Sequence, residues 1–329
     1  MNTTLTPARP PLRGPVQVLV RQHRWTLRIT GALALLTVLG LIALALRSSH
    51  VAAAFEASGC SANGGTGRAC DQNARDYWDS MNAYQRVFHY IASLLVAVPV
   101  FAGAYVAGPM IGRELESGAH RMSWTQSVSP ARWLSARLAT PAVLLVAATA
   151  VLAVCLHTAW NLSDTPYPSE WYRPEVFATT GTALPAYVLF ALCTGALTGL
   201  LVRRTLPALA LSAAVTGSAA VAFAAFRALL WPRATGVGQT LRPLENIWWV
   251  ETGHVTSDGS RLPDDVCAGA ASAADRNACM ADHDITRHYL DYHPASHFWP
   301  LQLVETGILL TLAALALALA FRVLRRLHG

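Results

Sequence analysis

Residues 112–138 read GRELESGAHRMSWTQSVSPARWLSARL, and this polar stretch lies between two long apolar runs. The run before it covers 87–111 and the run after it covers 139–160. Each reaches the roughly 20 residues that an α-helix needs to cross about 30 Å of hydrocarbon. The stretch is therefore a connection between two membrane spans. The rest of the chain likewise alternates apolar runs with polar connections.

The composition of the 329-residue chain is typical of a membrane protein. Hydrophobic residues make up 53% of it and charged residues 13%, which is about half the charged fraction of an ordinary soluble domain. We interpret the first apolar run as a retained span, because no convincing cleavage site ends it. The sequence predicts an all-α polytopic membrane domain over 29–321. Its six transmembrane helices are expected at 29–46, 87–111, 139–160, 176–202, 205–231 and 298–321.

Arginine density predicts the side on which each connection lies. One set of segments contains 14 Arg in 65 residues, whereas the other contains 10 Arg in 121 residues. Short segments rich in Lys and Arg stay in the cytoplasm, so both termini are predicted to be cytoplasmic. The predicted cytoplasmic segments are 1–28, 112–138, 203–204 and 322–329. The predicted outer loops are 47–86, 161–175 and 232–297.

Residues 1–28 form a tail with two parts. The first part is rich in Pro and Arg up to about Gly14, and we expect it to be disordered. In the second part polar side chains recur at helical spacing, which predicts an amphipathic helix in the inner membrane interface. These polar residues are Gln17, Arg21, Arg24 and Arg28. A basic flank that merely fixes the orientation of the first span is the alternative.

Four of the six cysteines form two close pairs in the predicted outer loops. Cys60 and Cys70 lie in the first of these loops, and Cys267 and Cys279 lie in the last. Because disulfides persist in oxidising compartments outside the cytosol, the pattern predicts Cys60–Cys70 and Cys267–Cys279 bridges. Free thiols are one alternative. A zinc site is another, although neither pair has the CxxC spacing of such sites.

The sequence contains none of the common catalytic motifs. It lacks a GxxxxGK[ST] phosphate-binding loop, and it lacks the GxSxG, HExxH and GxGxxG patterns. We therefore predict no catalytic residue and no cofactor, and any ATP must be hydrolysed by a partner chain. The net charge of +6 comes without a basic face interleaved with aromatic residues, so nucleic acid is not an expected partner.

The stretch 282–297, DHDITRHYLDYHPASH, is rich in possible metal ligands. Imidazole and carboxylate groups bind zinc or copper well. The His spacings of 5, 5 and 4 do not give two helical i, i+4 pairs, however, and Pro294 breaks any helix there. We interpret the stretch as a solvated loop beside the membrane and predict no metal site, with a metal site as the alternative.

Two charged residues fall inside predicted spans. Arg227 lies about one turn inside the outer end of the fifth span, and Glu305 lies about two turns into the sixth. Such residues face the bundle interior or a cavity and often pair, so one interpretation is that the two pair with each other. The alternative is that Arg227 extends to the outer interface while Glu305 bonds locally. Gly195 and Gly199 form a GxxxG pattern, which is weak evidence for a packing seam in an Ala-rich span.

The 112–138 stretch resembles the permease subunits of ABC exporters of the second integral-membrane type, especially a group common in actinobacteria. In that family an acidic ExE is followed by a Gly-containing turn, a WTQ-S/P-V-S/T segment and a basic residue that leads into the third span. The matching residues here are Glu114, Glu116, Gly118, Arg121, the segment 124–129, Arg132 and Trp133. The segment 292–308, YHPASHFWPLQLVETGI, is similar to that group's entry into the last span, but His297 stands where an Arg is expected.

The resemblance implies a permease that pairs, as a homodimer or heterodimer in the lipid bilayer, with two separate cytoplasmic ABC ATPase subunits. The 112–138 loop and the interface helix would receive the motion of the ATPase. The residues that the resemblance assigns to this coupling are Arg113, Glu114, Glu116, Arg121 and Gln126. A plain positive-inside connector is the alternative interpretation of the loop.

We therefore expect an exporter permease in the plasma membrane that moves an apolar or amphipathic compound outward. A protein of another class fits the same spans. A non-transporting membrane scaffold, or an envelope sensor that uses the 232–297 loop, would also need six helices, and it would have no ATPase partner.

Overall fold

A computed structural model describes residues 24–61, 68–118, 129–161, 170–239 and 246–326. The α-helices in these residues are α1 (Arg24–Ala57), α2 (Arg68–Phe101), α3 (Gly108–Glu116), α4 (Pro130–Asn161), α5 (Pro174–Thr179), α6 (Ala183–Val202), α7 (Thr205–Phe226), α8 (Ala273–Asp282) and α9 (Phe298–Arg326). A π-helical turn, Ala102–Ala107, joins α2 to α3. The strands are β1 (Ala234–Gly238), β2 (Trp248–Thr256), β3 (Arg261–Pro263) and β4 (Ile285–His293).

Within the described residues, six helical segments are long and apolar enough to cross a membrane. This confirms the predicted helical membrane protein with six spans, and the described residues contain in addition a four-stranded sheet that the all-α prediction did not include. The segments are Gly31–Ala57, Arg68–Glu116, Pro130–Asn161, Ala183–Val202, Thr205–Leu229 and Ala295–Arg326. Below, the end of the bundle that carries β1–β4 is called the sheet end, and the end where α3 leads toward α4 is called the loop end.

The first predicted outer loop, 47–86, is mostly helix. α1 continues to Ala57 and α2 begins at Arg68, so the two form a hairpin at the sheet end. Tyr77 and Met81 lie one turn apart on α2 and are buried against α1, and the Tyr77 ring stacks on Phe55 with centroids 4.4 Å apart. In residues 47–86 the apolar side chains thus still recur at helical spacing, although the chain is no longer continuously apolar. The predicted interface helix falls mainly in residues 1–23, which lie outside the described residues.

The fourth predicted span, 176–202, is broken into α5 and α6. The break at residues 180–182 receives the side chain of Gln302 from α9. Gln302 Nε2 donates to the Phe177 carbonyl at 2.5 Å, and its Oε1 accepts from the Ala183 backbone N–H at 3.0 Å. A Cβ atom on Gly181 would overlap the Gln302 amide. One amide therefore satisfies backbone groups that the break releases inside the membrane.

The last predicted outer loop, 232–297, contains a four-stranded antiparallel sheet of order β1-β4-β2-β3. One of its two central strands, β4, lies within 282–297, so the interpretation of that stretch as a solvated loop is wrong. Asp291 and His293 on β4 are buried, at 6% and 0% exposure. The stretch forms a strand because it is rich in β-branched and aromatic residues, and Pro294 stands directly after the strand ends. Helical spacing of the His residues does not detect such a strand.

Candidate functional site

A buried ion pair joins α9 to the end of α7. Arg227 Nε lies 2.8 Å from Glu305 Oε2, and Arg227 Nη2 lies 3.2 Å from Glu305 Oε1. The side chains are 2% and 0% exposed. The structure therefore agrees with the pairing interpretation, and it contradicts the alternative in which Arg227 extends to the interface.

Two aromatic side chains complete this ion pair. Tyr187 of α6 donates its hydroxyl to Glu305 Oε1 at 2.7 Å. The guanidinium carbon of Arg227 lies 4.1 Å from the centroid of the Phe177 ring on α5, a distance at which the ring face attracts a cation. The cluster of Phe177, Tyr187, Arg227 and Glu305 thus ties α5, α6, α7 and α9 together without net charge. We call it the ion-pair cluster.

A narrow pocket of about 50 Å³ lies beside this cluster, between α2, α5, α6 and α7. Its walls are mostly apolar, with Val96 and Val100 from α2 and Ala220 and Ala224 from α7. Tyr187, Thr216 and Arg227 are the lining residues with polar side chains. The pocket runs from about the middle of α7 to its sheet end, and we call it the α2–α7 pocket.

Small residues allow the spans to approach closely next to this pocket. A Cβ atom on Gly195 would lie 2.9 Å from the Gly103 carbonyl oxygen, and one on Gly199 would lie 2.8 Å from the Gly108 carbonyl oxygen. The GxxxG pattern of α6 is therefore a packing seam against the π-helical turn and α3. π-Helical turns occur frequently at functional sites.

At the loop end, Glu114 connects α3 to α4. Its Oε1 lies 2.6 Å from Arg137 Nη2, and its Oε2 accepts from Trp133 Nε1 at 3.1 Å. Trp133 and Arg137 lie one helical turn apart on α4, which begins at Pro130. One carboxylate therefore holds two successive positions of a span.

Glu116 connects α3 to α7. Its Oε2 accepts from the Thr205 backbone N–H at 2.9 Å and from the Thr205 hydroxyl at 2.7 Å. Thr205 is the first residue of α7, where backbone N–H groups lack partners in the helix and the helix dipole favours an anion. Arg113 is exposed. Arg121 and Gln126 lie outside the described residues.

Both predicted disulfides are formed. Cys60 and Cys70 are 1.97 Å apart at sulfur and close the α1–α2 hairpin, while Cys267 and Cys279 are 2.03 Å apart and join the 3₁₀ turn after β3 to α8. The remaining two cysteines are not in disulfides. In the described part of the chain no group of three or more His, Cys, Asp or Glu side chains is placed to hold a metal ion.

Two titratable residues on β4 make stabilising contacts. Asp291 bonds to other residues of the sheet region, and His293 bonds the sheet to the backbone beyond α7. Burial opposes ionisation of Asp291, but hydrogen bonds from Thr235 and Arg261 outweigh it and lower the pKa of Asp291. Burial lowers the pKa of His293. His293 Nε2 donates to the Ala228 carbonyl at 3.0 Å, just beyond α7.

Several of these residues were missed by reasoning from sequence. Tyr187 and Gln302 are polar residues inside predicted spans. Their polarity at such positions is a sequence signal from which a buried contact could have been predicted. Trp133 belongs to the family motif, but the motif does not reveal its contact with Glu114. Thr216 carries no sequence signal, because a hydroxyl inside a span ordinarily bonds to its own helix.

Six spans, a buried ion pair and a loop end at which α3 is bonded to α4 and α7 define the class of a multi-pass membrane protein. Residues 31–227 match the family model described as ABC-2 membrane transporter related. The match covers more than half of the chain, so the protein belongs to this family and is a multi-pass ABC permease subunit, not itself an enzyme. Comparison with curated proteins and with solved structures gave no match. The sheet and α9 lie beyond the matched residues.

Proposed function

We propose that the chain is the permease subunit of an ABC exporter in the plasma membrane. It forms the path for an apolar or amphipathic compound, works as a dimer, and is driven by cytoplasmic ABC ATPase subunits. The family supports the permease role. The sequence has no phosphate-binding loop, and we assign the energy source to a separate ATPase chain.

The observation that carries this proposal is the pair of carboxylates at the end of α3. Glu114 is bonded to α4 and Glu116 is bonded to the first residue of α7. A force applied to the loop after α3 would therefore reach two spans through short polar contacts. Rigid connections of this kind are needed to convert a partner's motion into a shift of helices.

This arrangement changes the roles proposed for the coupling residues. Glu114 and Glu116 are engaged within the chain, so we assign them the transmission of motion and not direct contact with the ATPase. Arg113 is exposed beside them and is assigned to the docking surface, together with the 119–128 segment that contains Arg121 and Gln126. Movement of α7 would also change the α2–α7 pocket.

The test begins with purification of the chain together with the soluble ABC ATPase that accompanies it. We expect Arg113→Glu to weaken this association. We expect Glu114→Ala to keep the ATPase bound but to change the ATP hydrolysis rate of the complex about fivefold, which corresponds to a change of about 1 kcal/mol in the barrier. Both are measured in nanodiscs.

Glu251→Gln is the matched control. It removes the Arg233–Glu251 pair, 3.2 Å long, at the sheet end, where no ATPase is expected. Two results would overturn the proposal. In the first, no ABC ATPase associates with the chain. In the second, Arg113→Glu and Glu114→Ala behave like the control in both measurements.

A further inference from the structure

Thr216 is one of the residues that line the α2–α7 pocket, and its hydroxyl is buried. Thr216 is 0% exposed, and its Oγ1 makes no hydrogen bond within the described residues. A threonine in a span ordinarily bonds to the carbonyl four residues earlier. Thr194 does so in α6, with Oγ1 2.8 Å from the Phe190 carbonyl. A buried hydroxyl left without a partner costs about 1–3 kcal/mol. A ligand that hydrogen-bonds to Thr216 would remove this cost.

The pocket is open on one side. Val96 and Val100 on α2 and Ala220 and Ala224 on α7 are half-buried, whereas Thr216 between them is fully buried. These four residues lie within segments that are apolar enough to span the membrane. The entrance therefore lies between α2 and α7, and a molecule dissolved in the bilayer would reach it without passing through water.

The charges beside the pocket are already satisfied. Arg227 makes two bonds to Glu305, and Tyr187 makes a third. A charged ligand group would have to break this bonded pair in a low-dielectric site, where an unpaired ion is costly. The pocket therefore favours a ligand without charge.

Its size also limits the ligand. A volume of about 50 Å³ is several times the 10–15 Å³ that a single water requires. It holds one end of a molecule, and the remainder would lie between α2 and α7.

We infer that the α2–α7 pocket binds the polar end of an uncharged amphiphile, a molecule with one hydroxyl or carbonyl group on an apolar chain, with Thr216 as its hydrogen-bond partner. The inference rests on the proposed function, because it names the class of compound that such a permease would take from the membrane. Movement of the loop-end half of α7 through the Glu116–Thr205 contact would then change the site at Thr216, while the ion-pair cluster at the sheet end stays fixed.

The test uses 3-azioctanol, an eight-carbon alcohol with a photoreactive diazirine, on the full chain in phosphatidylcholine nanodiscs. Labelled residues are mapped by mass spectrometry. We expect labelling at residues 96–100 and 216–224, with strong competition by 1-octanol and weak competition by octane. Thr216→Val keeps the shape and removes the hydroxyl, and it should reduce this labelling about fivefold, the value of one ordinary hydrogen bond.

Three further variants define the controls. Thr216→Ser keeps the hydroxyl and should label like the wild type, and Ala220→Leu should fill the entrance and block labelling. Thr311→Val makes the same change as Thr216→Val at an exposed position of α9, where the hydroxyl bonds to the Gly307 carbonyl, and it should have no effect. Thermal stability of each variant is measured alongside, so that misfolding is recognised.

Either of two results would overturn the inference. One is uniform labelling of lipid-facing helices that neither 1-octanol nor Thr216→Val reduces. The other is an absence of label at the pocket together with an Ala220→Cys cross-link between two copies, which would mean that a second chain fills it. Because these measurements need no ATPase, their failure is separate from failure of the proposed function.

Discussion

Each end of the bundle contains an Arg–Glu ion pair, but one pair is buried and the other is partly exposed. At the sheet end the Arg227–Glu305 pair is 2% and 0% exposed, whereas at the loop end the Arg137–Glu114 pair is 32% and 20% exposed. The sheet end also has two disulfides and a four-stranded sheet. The first pair is locked in a low-dielectric interior, and the second is open to competition from water and from a partner.

This difference indicates where the protein can move. A buried ion pair that loses one partner is strongly destabilised, whereas a partly exposed pair contributes about 1 kcal/mol or less. Rearrangement at the loop end therefore costs little, while the sheet end resists it. We interpret the sheet end as the fixed part of the permease and the loop end as the adjustable part.

The largest effect is expected from breaking the buried pair. Glu305→Gln leaves the Arg227 guanidinium without a counter-charge in the membrane, and Arg does not lose its proton in proteins. We expect a loss of about 3–5 kcal/mol in stability. Arg227→Met should cost less, because Glu305 keeps its hydrogen bond from the Tyr187 hydroxyl. The apparent unfolding temperature in detergent measures both.

The double variant Arg227→Met with Glu305→Gln is the control for this prediction. It removes both charges and should recover much of the stability lost in Glu305→Gln. If Glu305→Gln were as stable as the wild type, or if the two single variants were equally damaging, the view of the sheet end as a locked ion pair would be wrong.

An intermediate effect is expected at the glycine seam. Gly199→Ala places a Cβ 2.8 Å from the Gly108 carbonyl oxygen, so the backbone of α3 or α6 must shift. Overpacking of this kind costs about 1–3 kcal/mol. Gly307→Ala in α9 is the matched change, since its Cβ would meet nothing within 4 Å. If the two variants had equal unfolding temperatures, the glycine seam would not be what holds α3 against α6.

The smallest effect is expected from acidification at the sheet end. Burial places the folded-state pKa of His293 below the ordinary value of 6.5, so the unfolded chain binds the proton more readily. Stability is therefore present above pH 6.5 and falls as the pH drops below it, by at most about 1.4 kcal/mol per pH unit. The groups that face His293 are His297, Arg233 and the Ala228 carbonyl.

Hydrogen exchange of β4 between pH 7.5 and 5.5 measures this effect. Exchange should accelerate at the lower pH in the wild type and less so in His293→Asn, which does not titrate in this range. Asp291 does not contribute, because its pKa lies below its ordinary value of 3.8. Equal acceleration in both proteins would assign the pH response to another group.

The sequence predicted the spans well because hydropathy is a property of local composition. The same approach failed for residues 47–86 and 282–297, since hydropathy does not detect an amphipathic hairpin or a strand with buried His and Asp. The family motif points to Glu114 and Glu116 as the proposed coupling residues, but it does not give their partners. Trp133, Arg137 and Thr205 become their neighbours only when α4 and α7 pack against α3.

By itself the sequence determined the six spans, the two cysteine pairs and the absence of a phosphate-binding loop, because each depends on residue type and near spacing. The tertiary structure alone decided the pairing of Arg227 with Glu305, the insertion of Gln302 into the break between α5 and α6, and the unpartnered Thr216 hydroxyl. These features join residues that are up to 125 positions apart. In a membrane every backbone polar group needs a partner, and only the packing of the helices determines which buried side chains supply one and which, like the Thr216 hydroxyl, have none within the described residues.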